Sequence, residues 1–149
     1  MVTQDVKRIL DEAGVEYKLL EHEPVYTSQQ AADVRGVDVK TGVKALVVKT
    51  YEDKYLMILV RADKRADLER IARLEKTKKV RLVSAEEVKE QTGCEIGSVP
   101  PFGHKNFMKT YMDEDILKNN EVNFNIGEHT KSIRMKAKDL LKVIDPVMY

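Results

Sequence analysis

Two nearly continuous apolar runs on either side of a short polar turn constrain the fold of this chain more than any other feature. In the stretch VKALVVKTYEDKYLMILV, the runs occupy residues 43–48 and 55–60, and the turn lies around Glu52–Asp53. This pattern is typical of a β-hairpin. Because neither run alternates strictly with polar residues, both faces of the strands must be covered by other elements. The hairpin is therefore predicted to contain central, buried strands.

The rest of the chain predicts short helices and strands in mixed order. Thr3 is expected to cap a helix at 4–12, and two capping-box spacings, Thr27 to Gln30 and Ser84 to Glu87, each predict the start of another helix. Further helices are predicted at 67–75 and 136–143, and further strands at 15–20, 80–83, 106–112, 121–126 and 130–135. Because no regular strand–helix–strand repeat is present, this order favours an α+β fold with a mixed sheet.

Length and composition indicate one domain, residues 1–149, in a cytoplasmic protein without membrane contact. The chain has 42% hydrophobic residues, but no apolar run approaches the roughly 20 residues that span a bilayer, and the N-terminus has no apolar signal region. The single Cys94 excludes an internal disulfide and a cysteine-based zinc site. The net charge of +1 gives no general indication of nucleic-acid binding. The segment 61–81 nevertheless holds nine basic and four acidic residues, which suits either a solvated helix face or a phosphate-facing surface.

The segment GSVPPFG, residues 97–103, concentrates two of the four prolines and two of the seven glycines. One interpretation is a rigid surface turn. The other is a loop that is held in one shape because a ligand lies against its backbone, since glycine permits close approach and proline restricts the chain. Backbone N–H groups in such a loop can bind a carbonyl oxygen or an oxyanion.

Few side chains suggest chemistry. Lys44 opens a buried strand and either extends into solvent or presents a cation to a phosphate or an oxyanion. The three histidines are dispersed, so no metal site is predicted. No serine lies in a nucleophile-elbow pattern, and Cys94 has no electropositive neighbours that would activate it.

Four stretches, taken in order, resemble the YbaK-like aminoacyl-tRNA deacylases, relatives of the editing domain inserted in bacterial prolyl-tRNA synthetases. They are HEPVYTSQQAADVRG, VKALVVK, RLVSAEEVKEQTGCEIGSVPPFG and NIGEHTKSIRMKAKDLLKV. The resemblance covers residues 15 to 145. It depends on a combination: a lysine that opens a buried strand, the pattern TG-x-x-x-G-x-x-PPFG, and Gly-x-His before a strand. The family's common aromatic residue after TG is replaced by Cys94, which leaves the loop motif intact.

The resemblance implies a compact α+β domain with a mixed, strongly curved β-sheet flanked by helices. It also implies a trans-editing hydrolase that cleaves the ester between a wrong amino acid and tRNA, without metal or cofactor. Lys44 matches the family's lysine, Gly97 begins its Gly-x-x-x-Pro loop, and His129 matches a histidine that is functional in some members. These three are the expected catalytic residues. The expected substrate-binding residues are Ser98, Val99, Pro100, Pro101 and Gly127.

The expected partner is mischarged tRNA, bound through its aminoacyl 3′ end, and by analogy prolyl-tRNA synthetase. Small amino acids such as alanine, cysteine or serine, often on proline tRNA, are the substrates that the resemblance suggests. Two other functions stay open from the sequence: a non-catalytic nucleic-acid-binding module that retains the pocket, and a regulatory protein that binds a free amino acid or nucleotide. The retained Lys44 and the intact loop favour the hydrolase. The sequence does not determine the oligomeric state.

Overall fold

The computed structural model describes residues 2–149, which form four α-helices, eight strands and three short 3₁₀ helices. The α-helices are α1 (Val2–Glu12), α2 (Ser28–Arg35), α3 (Leu68–Glu75) and α4 (Ala85–Thr92). The strands are β1 (Tyr17–Glu21), β2 (Val43–Thr50), β3 (Tyr55–Arg61), β4 (Val80–Leu82), β5 (Lys109–Met112), β6 (Glu121–Asn125), β7 (Lys131–Lys136) and β8 (Val147–Met148). The 3₁₀ helices span Val39–Thr41, Glu114–Lys118 and Ala137–Lys142.

The predicted hairpin is confirmed as the centre of a five-stranded sheet. β2 and β3 pair antiparallel, from Val43 opposite Arg61 to Lys49 opposite Tyr55, and the strand order is β4-β2-β3-β5-β8. β3 pairs in parallel with β5, so the sheet is mixed as expected. Both faces of the hairpin are covered, which explains why its strands carry no regular polar alternation.

The two faces of β3 contribute to separate apolar clusters. Leu56 and Ile58 pack with Ile71 of α3, whereas Met57 and Leu59 belong to the larger cluster, which includes residues of α1 and of β6 and β7. All four strand residues are fully buried. The core therefore lies on both sides of the central sheet.

The expectation of one strongly curved sheet is wrong. β1, β7 and β6 form a second, antiparallel sheet of three strands, and Gly42 makes one isolated bridge to Asn123 of β6. β6 and β7 are neighbours along the chain and pair with each other, and β7 also pairs with β1. These three strands therefore form a sheet of their own and do not extend the central one.

Both capping boxes are present, but the predicted N-cap at Thr3 is wrong. The hydroxyl oxygens of Thr27 and Ser84 accept hydrogen bonds from the backbone N–H groups three residues later. In contrast, α1 already begins at Val2, and the Thr3 hydroxyl donates to the carbonyl oxygen of Ile126 at 2.8 Å. A contact made across the fold thus replaces the local capping bond.

Three other boundaries differ from the predictions. The final helix is a 3₁₀ helix at Ala137–Lys142, and the strand predicted at 106–112 begins only at Lys109. The first strand begins at Tyr17 rather than at residue 15. Among residues 2–149, no helix has the length and apolar character needed to cross a bilayer.

Candidate active site

A pocket of about 300 Å³ lies between α2, the beginning of β2, the Gly/Pro loop and β6. Its wall includes Lys44, Gly97 and Val99, which the sequence assigned to one site although more than 50 residues separate the lysine from the loop. Apolar side chains of α2 and β2, among them Ala32 and Val43, cover much of the remaining wall. The fold therefore brings the predicted cation and the predicted loop to one cavity.

Lys44 is half-buried at the second position of β2, opposite Val60. Its ammonium donates a hydrogen bond to the carbonyl oxygen of Lys64 at 2.5 Å. Burial lowers the pKa of Lys44, nearby Asp63 opposes this shift, and the positive charge of Arg65 adds to it. The ammonium is consequently held at the pocket wall by a neutral carbonyl.

The Gly/Pro loop is fixed by hydrogen bonds on the side away from the pocket. The Ser98 hydroxyl donates to the carbonyl oxygen of Glu95 at 2.7 Å, and the Ser98 carbonyl accepts from the N–H of Gly127 at 2.8 Å. His104 Nε2 lies 2.6 Å from the carbonyl oxygen of Pro100, to which it donates. Because the loop is braced in this way, little order has to be gained when a ligand binds.

The backbone of the loop presents donors that the protein itself leaves unused. Gly97 has φ of 86°, in the left-handed region where glycine is favoured. Among residues 2–149, the N–H groups of Gly97 and Val99 donate to no acceptor. Both residues line the pocket, and free backbone N–H groups of this kind can bind a carbonyl oxygen or an oxyanion.

Not all of the predicted substrate-binding residues line the cavity. The Ser98 side chain is 1% exposed and turned toward Glu95, and Pro100 and Pro101 are buried outside the pocket wall. Gly127 lies against α1, where an added Cβ would be 3.3 Å from the Thr3 hydroxyl oxygen. These four residues therefore support the site from outside the pocket wall, whereas Val99 and Gly97 line the pocket.

His129 flanks the loop at Gly97. Its Cε1 atom lies 3.4 Å from the position that a Cβ on Gly97 would occupy, and its ring is 4.6 Å from the ring of Tyr26 between centroids. The carbonyl oxygen of Val25, 2.9 Å from Nδ1, can only accept, so Nδ1 carries the hydrogen. In the neutral ring Nε2 is then left with a lone pair that can accept a proton.

Sequence reasoning missed a partly buried polar network in the pocket wall. Arg35, at the end of α2, donates to Asn123 Oδ1 at 2.7 Å, to Asn125 Oδ1, and to Ser132 Oγ at 2.9 Å. Asn125 Nδ2 in turn donates to the carbonyl oxygen of Gly97 at 2.9 Å. The i, i+2 spacing of two asparagines in the strand segment VNFN, which places both on one face, was the available signal.

Neither Cys94 nor Ser132 is placed to act as a nucleophile. Burial raises the pKa of Cys94 to about 11, so its thiol stays protonated at neutral pH. His22 Nε2 lies 2.7 Å from Ser132 Oγ, but Ser132 is fully buried and its oxygen accepts from Arg35. Within residues 2–149, no three His, Cys, Asp or Glu side chains are grouped so that they could hold a metal ion. The pocket wall thus combines a loop with unused backbone donors and two fixed cations, Lys44 and Arg35.

Comparisons with known proteins identify the family of the chain. The model of the aminoacyl-tRNA editing domain matches residues 22–143. The multifunctional Ser/Thr-tRNA deacylase ProXp-y of Escherichia coli is 30% identical over 142 residues, which cover 93% of this chain and 85% of that protein. A proline–tRNA ligase of Caldicellulosiruptor bescii is 29% identical over 81% of this chain, which corresponds to only 21% of the ligase.

A solved structure supports the same assignment. It is described as a candidate trans-editing enzyme for prolyl tRNA synthetase, and it superposes with a TM-score of 0.85 at 30% identity, covering 99% of this chain and 94% of its own. The chain therefore belongs to the aminoacyl-tRNA editing domain family. The resemblance inferred from the sequence motifs is confirmed, and aminoacyl-tRNA deacylation is the activity of this class.

Proposed function

We propose that this domain acts in trans, as a metal-independent hydrolase that removes a small, wrongly attached amino acid from the 3′ end of tRNA. The observation that carries the proposal is the meeting of Lys44 and the Gly97 loop on one pocket wall, in a chain that the editing-domain model covers from residue 22 to 143. The name of the E. coli relative supports serine and threonine among the amino acids, and the match within a proline–tRNA ligase supports proline tRNA as the carrier.

The size of the pocket favours the aminoacyl end of the substrate. A volume of about 300 Å³ is at the lower limit of small-molecule sites. It suits an amino acid and leaves the nucleotides outside. A second cation, the exposed Arg65, is close enough to Lys44 to influence its pKa, and the carboxylate of nearby Asp63 is already paired with Arg61. This positive charge suits the phosphates near the tRNA end.

The proposed mechanism relies on placement and electrostatics. Lys44 binds the terminal phosphate, and the free N–H groups of Gly97 and Val99 bind the ester carbonyl oxygen. A water molecule attacks the carbonyl carbon, His129 Nε2 accepts its proton, and the oxygen develops negative charge against the backbone donors. When the ester C–O bond breaks, the proton passes to the ribose oxygen. The products are the free amino acid and tRNA.

The proposal includes a cytoplasmic location and prolyl-tRNA synthetase as a partner. A catalytic pocket of this size reads only the end of the tRNA, so a synthetase that binds the tRNA body would supply selectivity between tRNAs. Addition of prolyl-tRNA synthetase should therefore lower KM for mischarged proline tRNA. It should leave kcat for the chemical step unchanged.

Deacylation of a tRNA panel tests the proposal directly. Purified protein is incubated with proline tRNA charged with serine, threonine, alanine, cysteine or proline, and loss of each ester is followed. We expect hydrolysis of the small mischarged amino acids and protection of prolyl-tRNA. Tight tRNA binding with no hydrolysis of any ester would instead support the non-catalytic module. A shift in melting temperature with free amino acids alone would support the regulatory protein.

A further inference from the structure

Arg35 is a half-buried cation in the pocket wall, and the proposed mechanism does not use it. Its nitrogens donate only to neutral oxygens, those of Ser132, Asn123 and Asn125, and burial lowers its pKa to about 10. Among residues 2–149, no carboxylate forms an ion pair with it. A partly desolvated charge without an opposite charge is unfavourable, and its position in a cavity wall points to a ligand contact.

The network offers a ligand mainly hydrogen-bond donors. Of the five guanidinium N–H groups, three are used and two have no acceptor among residues 2–149. The Oδ1 atoms of Asn123 and Asn125 accept from Arg35, so their amide nitrogens point elsewhere, to Thr41 at 2.8 Å and to the Gly97 carbonyl at 2.9 Å. Each amide keeps one further N–H. This part of the pocket therefore suits an oxygen acceptor and repels an ammonium group.

The group that reaches this part of the pocket must be small. Asn123 and Asn125 are 2% and 8% exposed, so the polar floor lies deep, whereas Lys44 is half-buried. A terminal phosphate carries bulky nucleosides and a charge that is costly to desolvate. An amino-acid side chain is the smallest end of the substrate, and the apolar wall at Val25 and Val43 accommodates its carbon atoms.

We propose that Arg35 determines the specificity of the pocket by donating a hydrogen bond to the hydroxyl oxygen of a serine or threonine side chain. The proposal rests on the deacylase function proposed above and assigns to Arg35 the recognition of its β-hydroxy substrates. The α-ammonium group of the substrate then lies away from Arg35, and its ester lies toward Gly97 and Lys44. A substrate without the hydroxyl leaves the buried donors unsatisfied, and such sites discriminate strongly.

Arg35 also holds the loop through Asn125, so a substitution affects every substrate to some extent. The selective contribution is isolated by a ratio of two kcat/KM values, because a ratio does not depend on the concentration of folded enzyme. In each pair, the two amino acids should differ only by a methyl group in place of the hydroxyl group. Serine paired with 2-aminobutyrate, and threonine paired with valine, meet this requirement on one tRNA body.

The experiment measures both ratios for the wild type, Arg35→Met, Arg35→Lys and a control, Arg134→Met. Arg134, on β7, donates a hydrogen bond of 3.1 Å to the backbone carbonyl oxygen of Arg35 but does not line the pocket. We expect the wild type to prefer each hydroxyl substrate by at least about 100-fold. Arg35→Met should reduce this preference by about 10- to 100-fold, Arg35→Lys should reduce it less, and Arg134→Met should preserve it.

Each outcome decides the proposal. A wild-type enzyme that hydrolyses the esters without preferring the hydroxyl substrates overturns the role of Arg35 and leaves the deacylase function intact. An equal loss on all esters in Arg35→Met also overturns it, since that result indicates loop positioning or a phosphate contact. If Arg35→Met does not fold, the test uses the other two proteins: the wild type must prefer the hydroxyl substrates, and Arg35→Lys must reduce that preference. A folded wild type that hydrolyses no ester overturns the deacylase function and this inference together.

Discussion

Replacing Gly97 by alanine distinguishes a substrate-contacting loop from a structural turn. Gly97 has φ of 86°, lines the pocket, and directs its carbonyl oxygen to Asn125. An added methyl group would lie 3.4 Å from His129 Cε1, which is an ordinary contact, so the fold can accept it sterically. The main structural cost is the left-handed backbone.

The magnitudes of the two effects differ. A non-glycine residue in the left-handed region loses about 1–2 kcal/mol of stability. For a domain of this size, that corresponds to a fall in melting temperature of roughly 2–8 °C. The effect on catalysis should be larger, because a displacement of about 1 Å at the reacting group can reduce the rate by about 100-fold.

The assay combines melting temperature with kcat/KM for mischarged tRNA. Gly14→Ala is the matched control, since Gly14 also has a positive φ, of 68°, but an added Cβ meets nothing within 4 Å. We expect similar melting shifts in the two variants and a large loss of activity only in Gly97→Ala. If the activity of Gly97→Ala falls no further than that of Gly14→Ala, the loop is structural and the argument from its backbone donors is refuted.

Three further predictions concern charge, metals and pH. Lys44→Met should reduce kcat/KM by about 10²–10³-fold with little loss of stability, whereas the control Lys49→Met, on the same strand, should have nearly wild-type activity. Unchanged activity in folded Lys44→Met would remove this residue from the mechanism. EDTA should leave deacylation unchanged, and activity lost in EDTA but restored by zinc would contradict metal independence. Although burial of Glu75 opposes its ionisation, hydrogen bonds from Lys109, Tyr111 and Lys54 lower its pKa from 4.5 to about 2. Ionised Glu75 therefore stabilises the fold above about pH 4.5, and this contribution is lost as the pH falls toward 2. In urea unfolding, Glu75→Gln should have a lower free energy of unfolding than the wild type at pH 7, and the difference should narrow in acid. A difference that does not change with pH would contradict the assignment.

Features that depend on neighbours in the chain were predictable from the sequence. The two capping boxes need only a hydroxyl and an amide or carboxylate three residues later, and both form as predicted. The central hairpin needs two apolar runs and a short turn, and it forms from Val43 to Arg61. The motifs around Lys44 and the Gly/Pro loop also sufficed to indicate the family.

Features that depend on distant residues were not predictable from local patterns. Thr3 satisfies the spacing of an N-cap, but its hydroxyl bonds to Ile126, more than 120 residues away. The division of the strands into two sheets follows from which strands meet in space. Neither choice is determined within the few residues over which sequence rules act.

The sequence by itself determined the central hairpin, the capped helices and the family, because these rest on local geometry and on motif spacing. Only the tertiary structure decided that Arg35 lies beside Asn123 and Asn125, which are 88 and 90 residues away in the chain. It also decided that Ser98 turns away from the pocket and that His129 lies against Gly97. The reason is physical: a buried polar group is satisfied by whatever partner the packing brings near, and the packing is a property of the whole chain.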